Sequence, residues 1–143
     1  MKKIMLDLTR ESSLLNPVTG YIKRKGFCVH DTEMPFYHRS VDIYGYSKRN
    51  NKTIAIELKL HKWKQAFKQA LIYQLCADES YIAMPQKYTS RVNLDLLSEH
   101  GIGLISVSEV GRCRKLIGAR QSLVLRIDYK NNNIEFLQRS KNG

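Results

Sequence analysis

Two carboxylates and one ammonium fall at the end of an otherwise apolar stretch. Asp42 lies in Val41-Asp42-Ile43-Tyr44-Gly45-Tyr46, and Glu57 and Lys59 lie in Thr53-Ile54-Ala55-Ile56-Glu57-Leu58-Lys59-Leu60. Valine, isoleucine and tyrosine suit a pleated, half-buried surface. The polar run from Ser47 to Lys52, with two asparagines, suits a turn. The two runs therefore predict an antiparallel hairpin. Pairing Tyr46 with Thr53 places Asp42 opposite Glu57, since each is equally far from the turn. A slip of one residue would put the two acids on opposite faces, so the register decides the chemistry. Lys59, two residues past Glu57, shares its face.

Charges gathered on a buried strand end are costly unless they are paired or bind a metal. Adjacent carboxylates repel, a divalent cation removes the repulsion, and hard oxygen donors suit Mg²⁺ or Mn²⁺. The competing reading is a salt-bridged strand end, with Lys59 against Glu57 or Asp42. Asp128-Tyr129-Lys130 repeats the acid-x-Lys spacing. It lacks an acidic strand before it and an amphipathic helix after it, and is expected to be the solvated end of a hairpin strand.

In this order of elements the chain resembles the PD-(D/E)xK nuclease superfamily, in its Holliday-junction-resolvase-like and RecB-like branches. That family places an acid on one strand, Glu-x-Lys on the next, and a helix behind. The match is Asp42 followed by Glu57-Leu58-Lys59, with Val41 where the family's name has proline. It spans residues 9 to 108 as an order of elements. The resemblance implies a restriction-endonuclease-like αβββαβ core, a mixed sheet flanked by helices. It implies Mg²⁺- or Mn²⁺-dependent hydrolysis of DNA, as an endonuclease, leaving 5′-phosphate and 3′-hydroxyl ends. Asp42, Glu57 and the Leu58 carbonyl would hold the metal, and Lys59 would orient the attacking water. The family's first helix often adds an acid, which would be Glu11; a first-turn glutamate complementing the helix dipole is the other reading. Glu33 is a second candidate for that place. Gln69 and Tyr73 resemble the Gln-x-x-x-Tyr pair of the RecB-like branch, which supports the active site and contacts DNA. An ordinary helix edge is the alternative.

The elements that must position these groups can be read along the chain. Asn16-Pro17 suggests an N-cap and first helical position, and Gly26 a left-handed stop. Phe27 to Met34 alternates with period two and predicts a strand, which Pro35 should end. Residues 61–77 predict a helix on which Trp63, Ala66, Phe67, Ala70, Leu71, Gln74 and Ala77 form one arc facing the sheet. Gln74 on that arc would need a buried partner. Lys62, Lys64 and Lys68 on this helix are candidate phosphate contacts, as is Arg39 beside His38. Ser80 to Pro85 and Leu104 to Ser108 predict buried strands, joined by a helix from Arg91 to His100. Strand–helix–strand units with short connections imply parallel pairing. Arg112, Arg114, Lys115 and Arg120 mark a basic loop. Ser122–Tyr129 and Ile134–Leu137, around three asparagines, predict a closing β-hairpin.

The chain has 143 residues and a formal net charge of +11, with 43% hydrophobic residues. That length and composition predict a single folded domain over 1–143, with the core at about 9–108 and an extension at 109–143. The charge surplus favours a polyanionic partner: DNA first, with RNA compatible. No apolar run suits a membrane span. The opening Met1-Lys2-Lys3-Ile4-Met5-Leu6 resembles a signal peptide only until Asp7 and Arg10 interrupt it. Cys28, Cys76 and Cys113 form no CxxC pair, which fits a reduced, cytoplasmic setting. A homodimer fits the cutting of two strands, and a partner protein could supply targeting. The rival reading is a non-catalytic nucleic-acid-binding module on the same fold.

Overall fold

The computed structural model describes residues 5–142, so most of the Met1–Leu6 reading lies outside the described residues. Within them the fold is α/β, with a six-stranded mixed sheet in the order β1-β2-β3-β4-β5-β6. A 3₁₀ turn (Glu11–Leu14) leads into α1 (Leu15–Arg24), and then come β1 (Val29–Phe36), β2 (Arg39–Ser47) and β3 (Lys52–Leu58). Helix α2 (Trp63–Tyr73) crosses to β4 (Glu79–Pro85); a 3₁₀ turn (Gln86–Arg91) and α3 (Leu94–Glu99) cross to β5 (Gly103–Val107). Strand β6 (Cys113–Ile117) and helix α4 (Ile127–Asn142) complete the chain. The first three strands are antiparallel, β3-β4-β5 run parallel, and β6 returns antiparallel.

The two crossovers explain the strand character. Residues 53–58 of β3, 80–85 of β4 and all of β5 are buried, as expected of strands covered on both faces. The 3₁₀ turn, through Leu14, and helix α1, through Val18 and Ile22, cover one face, against Ile43, Ile56 and Ile105. Helix α2 covers the other through Ala66 and Ala70, with Trp63, Phe67 and Leu71 packed against Ile82, Met84 and Leu104. The alanines let the helix backbone approach the sheet. Gly26 ends α1 at φ +102°, and the Phe27 N–H reaches back to the Ile22 carbonyl at 3.0 Å, a left-handed helix stop.

Several expectations need correction. Asn16 does not cap α1; the helix begins at Leu15 with no side-chain cap bond. Pro35 lies inside β1, opposite Ser40, because β1 is an edge strand whose outer side needs no N–H donor. The Arg91–His100 helix is shorter, Leu94–Glu99, capped by the Asn93 side chain accepting from Leu96 N–H at 3.1 Å. Part of the basic loop is strand β6.

The largest correction is at the C-terminus, where a helix replaces the predicted hairpin. Lys130, Asn133 and Leu137 are its buried positions, at helical spacing. Two of these three are polar, so the apolar period that marks a helix is missing from the sequence. Lys130 is no solvated strand end. Its ammonium is buried 2.9 Å from Asp78 and donates to the Asn51 carbonyl at 2.7 Å. Asp78 in turn accepts from Thr53 N–H, the Thr53 hydroxyl and Gln121. Hydrogen-bond donors from Lys130, Thr53 and Gln121 outweigh burial and hold the Asp78 carboxyl below its ordinary range. This cluster ties α4 to the turn end of β3.

Candidate active site

The β2–β3 register is the one that brings the two acids together. Tyr46 pairs with Thr53 and Ile43 with Ile56, so Asp42 and Glu57 follow as the next opposed positions. The Asp42 Oδ2 atom accepts the Leu58 N–H at 2.8 Å. One carboxylate thereby spans from β2 to the backbone between Glu57 and Lys59. Glu57 is 8% exposed. Burial pushes its carboxyl up to about 8, the Asp42 charge adds to this, and Lys59 draws it down. Asp42 is also raised, first by burial; the Leu58 N–H and Glu57 bonds oppose this, and the charges of Glu33 and Glu11 reinforce it. The pair therefore holds a proton more tightly than lone carboxylates do, the signature of two acids sharing one site.

Around the pair, Tyr73 is buried beneath Glu57. Its hydroxyl has one proton and three acceptors in reach: the Ser40 carbonyl at 3.0 Å, Glu57 Oε1 at 3.2 Å and Gln69 Oε1 at 3.5 Å. Burial, and then the Glu57 and Asp42 charges, raise the hydroxyl far above its ordinary value, so it stays a donor. Gln69 also accepts from the Arg39 guanidinium at 2.7 Å. Helix α2 thus presents Tyr73 to Glu57, with Gln69 linking Tyr73 to Arg39. The Lys59 ammonium lies 3.9 Å from Glu11 Oε1. The 3₁₀ turn ahead of α1 carries Glu11 to the site.

Glu33 lies between Thr32 and Met34, which pair with Ile43 and Val41, so it stands opposite Asp42 on β1. Its backbone is left-handed, φ +57°, in mid-strand. The charges of both candidate acids, Glu33 and Glu11, act on Asp42. Gln74 does not lie in the buried arc. It caps the C-terminus of α2 and donates to the His100 carbonyl at 2.9 Å. Among the described residues, no group of three or more His, Cys, Asp and Glu comes together as a metal cluster.

Lys62, Lys64 and Lys68 are exposed on and before α2. Sequence reasoning missed their neighbours. Lys87 and Arg91 sit over the Tyr88 ring at 5.1 and 5.0 Å, and His61 approaches it at 5.8 Å. His61 follows β3 and Tyr88 follows β4, so this basic–aromatic knob stands at the carboxyl ends of parallel strands, the usual ligand edge of such sheets. The interleaved Lys87, Tyr88 and Arg91 are the sequence signal for this knob. Among the described residues no helix is long and apolar enough to cross a membrane.

No family model and no curated protein matches the chain. A solved structure of a protein of unknown function from Silicibacter pomeroyi is similar, with a TM-score of 0.70 at 18% sequence identity, over 90% of this chain and 83% of that one. At that identity the likeness is one of fold.

Proposed function

We propose that this chain is a restriction-endonuclease-like, metal-dependent nuclease that hydrolyses DNA phosphodiester bonds to leave 5′-phosphate ends. The observation that carries the reading is the pairing of Asp42 and Glu57 in one register, with both carboxyls raised and Lys59 beside them. A buried acid and a half-buried one that resist joint ionisation are relieved by a divalent cation. Two carboxylates and the Leu58 carbonyl form a hard oxygen set, and Mg²⁺ commonly takes only one or two protein carboxylates and keeps several waters. The donors present fit such an ion. When bound, the cation lowers the pKa of water and offsets charge on the phosphate.

The chain's own groups supply the rest. Tyr73 and the Leu58 N–H fix Glu57 and Asp42 by hydrogen bonds, so the carboxylates need no reorganisation during reaction. The Lys59 ammonium orients the attacking water and offsets developing negative charge. Lys62 and Lys64 lie at the start of α2, where positive side chains oppose the helix dipole; a bound phosphate relieves both. The charge of +11 supplies salt-sensitive affinity for the backbone.

A second reading, a non-catalytic nucleic-acid-binding module, is favoured by one observation: among the described residues no three acids gather closely enough to hold a metal together. Supercoiled plasmid separates the two. A nuclease nicks or linearises it with Mg²⁺ or Mn²⁺, stops in EDTA, and leaves ends that DNA ligase reseals. A binding module retards the plasmid equally with and without metal and leaves it intact.

A further inference from the structure

The tip of the β1–β2 hairpin carries a side chain that neither the core nor the carboxylate site uses. Tyr37 is 63% exposed and sits at φ +58°, a left-handed backbone that strains a non-glycine residue. A turn position with that geometry favours Gly, Asn or Asp. A tyrosine there aims a large ring outward at the cost of strain. The ring is braced. It meets Phe36 edge-to-face at 4.7 Å and 65°, and Tyr129 of α4 at 5.6 Å and 84°. Its hydroxyl hydrogen-bonds the Tyr129 hydroxyl. Arg126 lies over the Tyr129 ring at 5.0 Å and pairs with Asp128 at 3.4 Å.

The tip is tied to the site. Arg39, two residues on, is held by Gln69, which lies beside Tyr73 and hence Glu57. From Arg39 to Asp42 along β2 is about 10 Å at the rise of an extended strand. A braced, exposed aromatic ring next to arginines, on a strongly basic chain, is the arrangement on which unpaired bases stack. Bases inside a duplex present no free face to it.

We propose that Tyr37 is a stacking platform for an unpaired base, so that the substrate entering this site carries single-stranded DNA at the hairpin tip. The inference rests on the nuclease reading for its position, yet its test needs no cleavage.

Binding is measured in EDTA by fluorescence anisotropy, with a labelled oligothymidine and with a blunt-ended linear duplex of equal nucleotide count. Tyr37→Leu is expected to weaken binding of the single strand about tenfold, in line with the loss of one stacked base. Duplex binding and melting temperature stay close to wild type. Because no phosphate contact is lost, the salt slope is unchanged. Tyr37→Phe, which keeps the ring and loses the hydroxyl bond, retains single-strand affinity. Equal affinity of Tyr37→Leu and wild type for the single strand would overturn the proposal. So would an equal loss on both ligands, or a loss in Tyr37→Phe as large as in Tyr37→Leu. A wild type that stacks single strands but never cuts leaves the platform standing and removes the nuclease reading.

Discussion

Asp42 on β2 accepts the backbone N–H of Leu58 on β3 at 2.8 Å, so the acid of one strand fixes the peptide between the other strand's acid and lysine. The carboxylate is therefore both a candidate site group and a cross-strand tie that stands in for a ladder bond. Asp42→Asn keeps an acceptor of the same shape. Asp42→Ala leaves a half-buried N–H unpaired, a cost of about 1–3 kcal/mol. Urea denaturation should rank wild type and Asp42→Asn together and Asp42→Ala below them, while both variants lose cleavage. Equal stability of Asp42→Ala and wild type would remove the ladder role.

Tyr73 packs in the core through its ring and reaches Glu57 through its hydroxyl. Tyr73→Phe keeps the ring in the α2–sheet core and removes the donor to Ser40 and Glu57. Groups that orient a metal's ligands typically change its affinity or the activity by about 10–100-fold. Calorimetric titration with Mn²⁺ should show weakening in that range. Unchanged Mn²⁺ affinity would reduce Tyr73 to a packing residue.

Glu33 offers a test of strain against need. Its side chain is exposed and its φ is +57°. Glu33→Gly relieves a left-handed backbone and removes a like charge facing Asp42. Stability should rise by about 1 kcal/mol, read as a higher melting temperature. A lower melting temperature would mean that the Glu33 side chain stabilises the fold through contacts of its own.

The Asp78–Lys130 pair sets a pH dependence. The folded-state carboxyl of Asp78 lies below its ordinary value, held down by Lys130 and its other donors against the effect of burial. Its contribution is full above the unfolded carboxylate pKa, about 3.9. It is lost as the pH falls through the folded value, because the unfolded state then binds the proton more readily. Lys130→Met breaks a buried pair and leaves the Asp78 charge uncompensated, a loss of about 3 kcal/mol at neutral pH. The gap between wild type and Asp78→Asn should narrow on acidification below pH about 4. A constant gap would assign the loss to packing.

What the sequence made legible follows from where the physics is local. The hairpin, its register and the meeting of Asp42 with Glu57 could be read because two runs of β-forming residues around a polar turn encode them directly. The α2 arc could be read because Ala66, Phe67, Ala70 and Leu71 keep helical spacing. Helix α4 was illegible because Lys130 and Asn133 fill core-facing positions, and only the distant Asp78 makes Lys130 a core residue. The Arg39–Gln69 bond and the Tyr37–Tyr129 brace join residues far apart in sequence, so no local pattern announces them. Glu33 was a candidate acid by type, but its place opposite Asp42 depends on the β1–β2 register.

The central claim is that Asp42, Glu57 and Lys59 form a hydrolytic centre. Single-turnover cleavage of labelled DNA with Mg²⁺, run beside binding of the same DNA by wild type and Lys59→Ala, tests it most directly. The account predicts metal-dependent cutting by wild type, cutting slowed by about 100-fold or more in Lys59→Ala, and closely similar affinities. Tight binding by both proteins with no cutting in Mg²⁺ or Mn²⁺ would contradict it and leave a nucleic-acid-binding module.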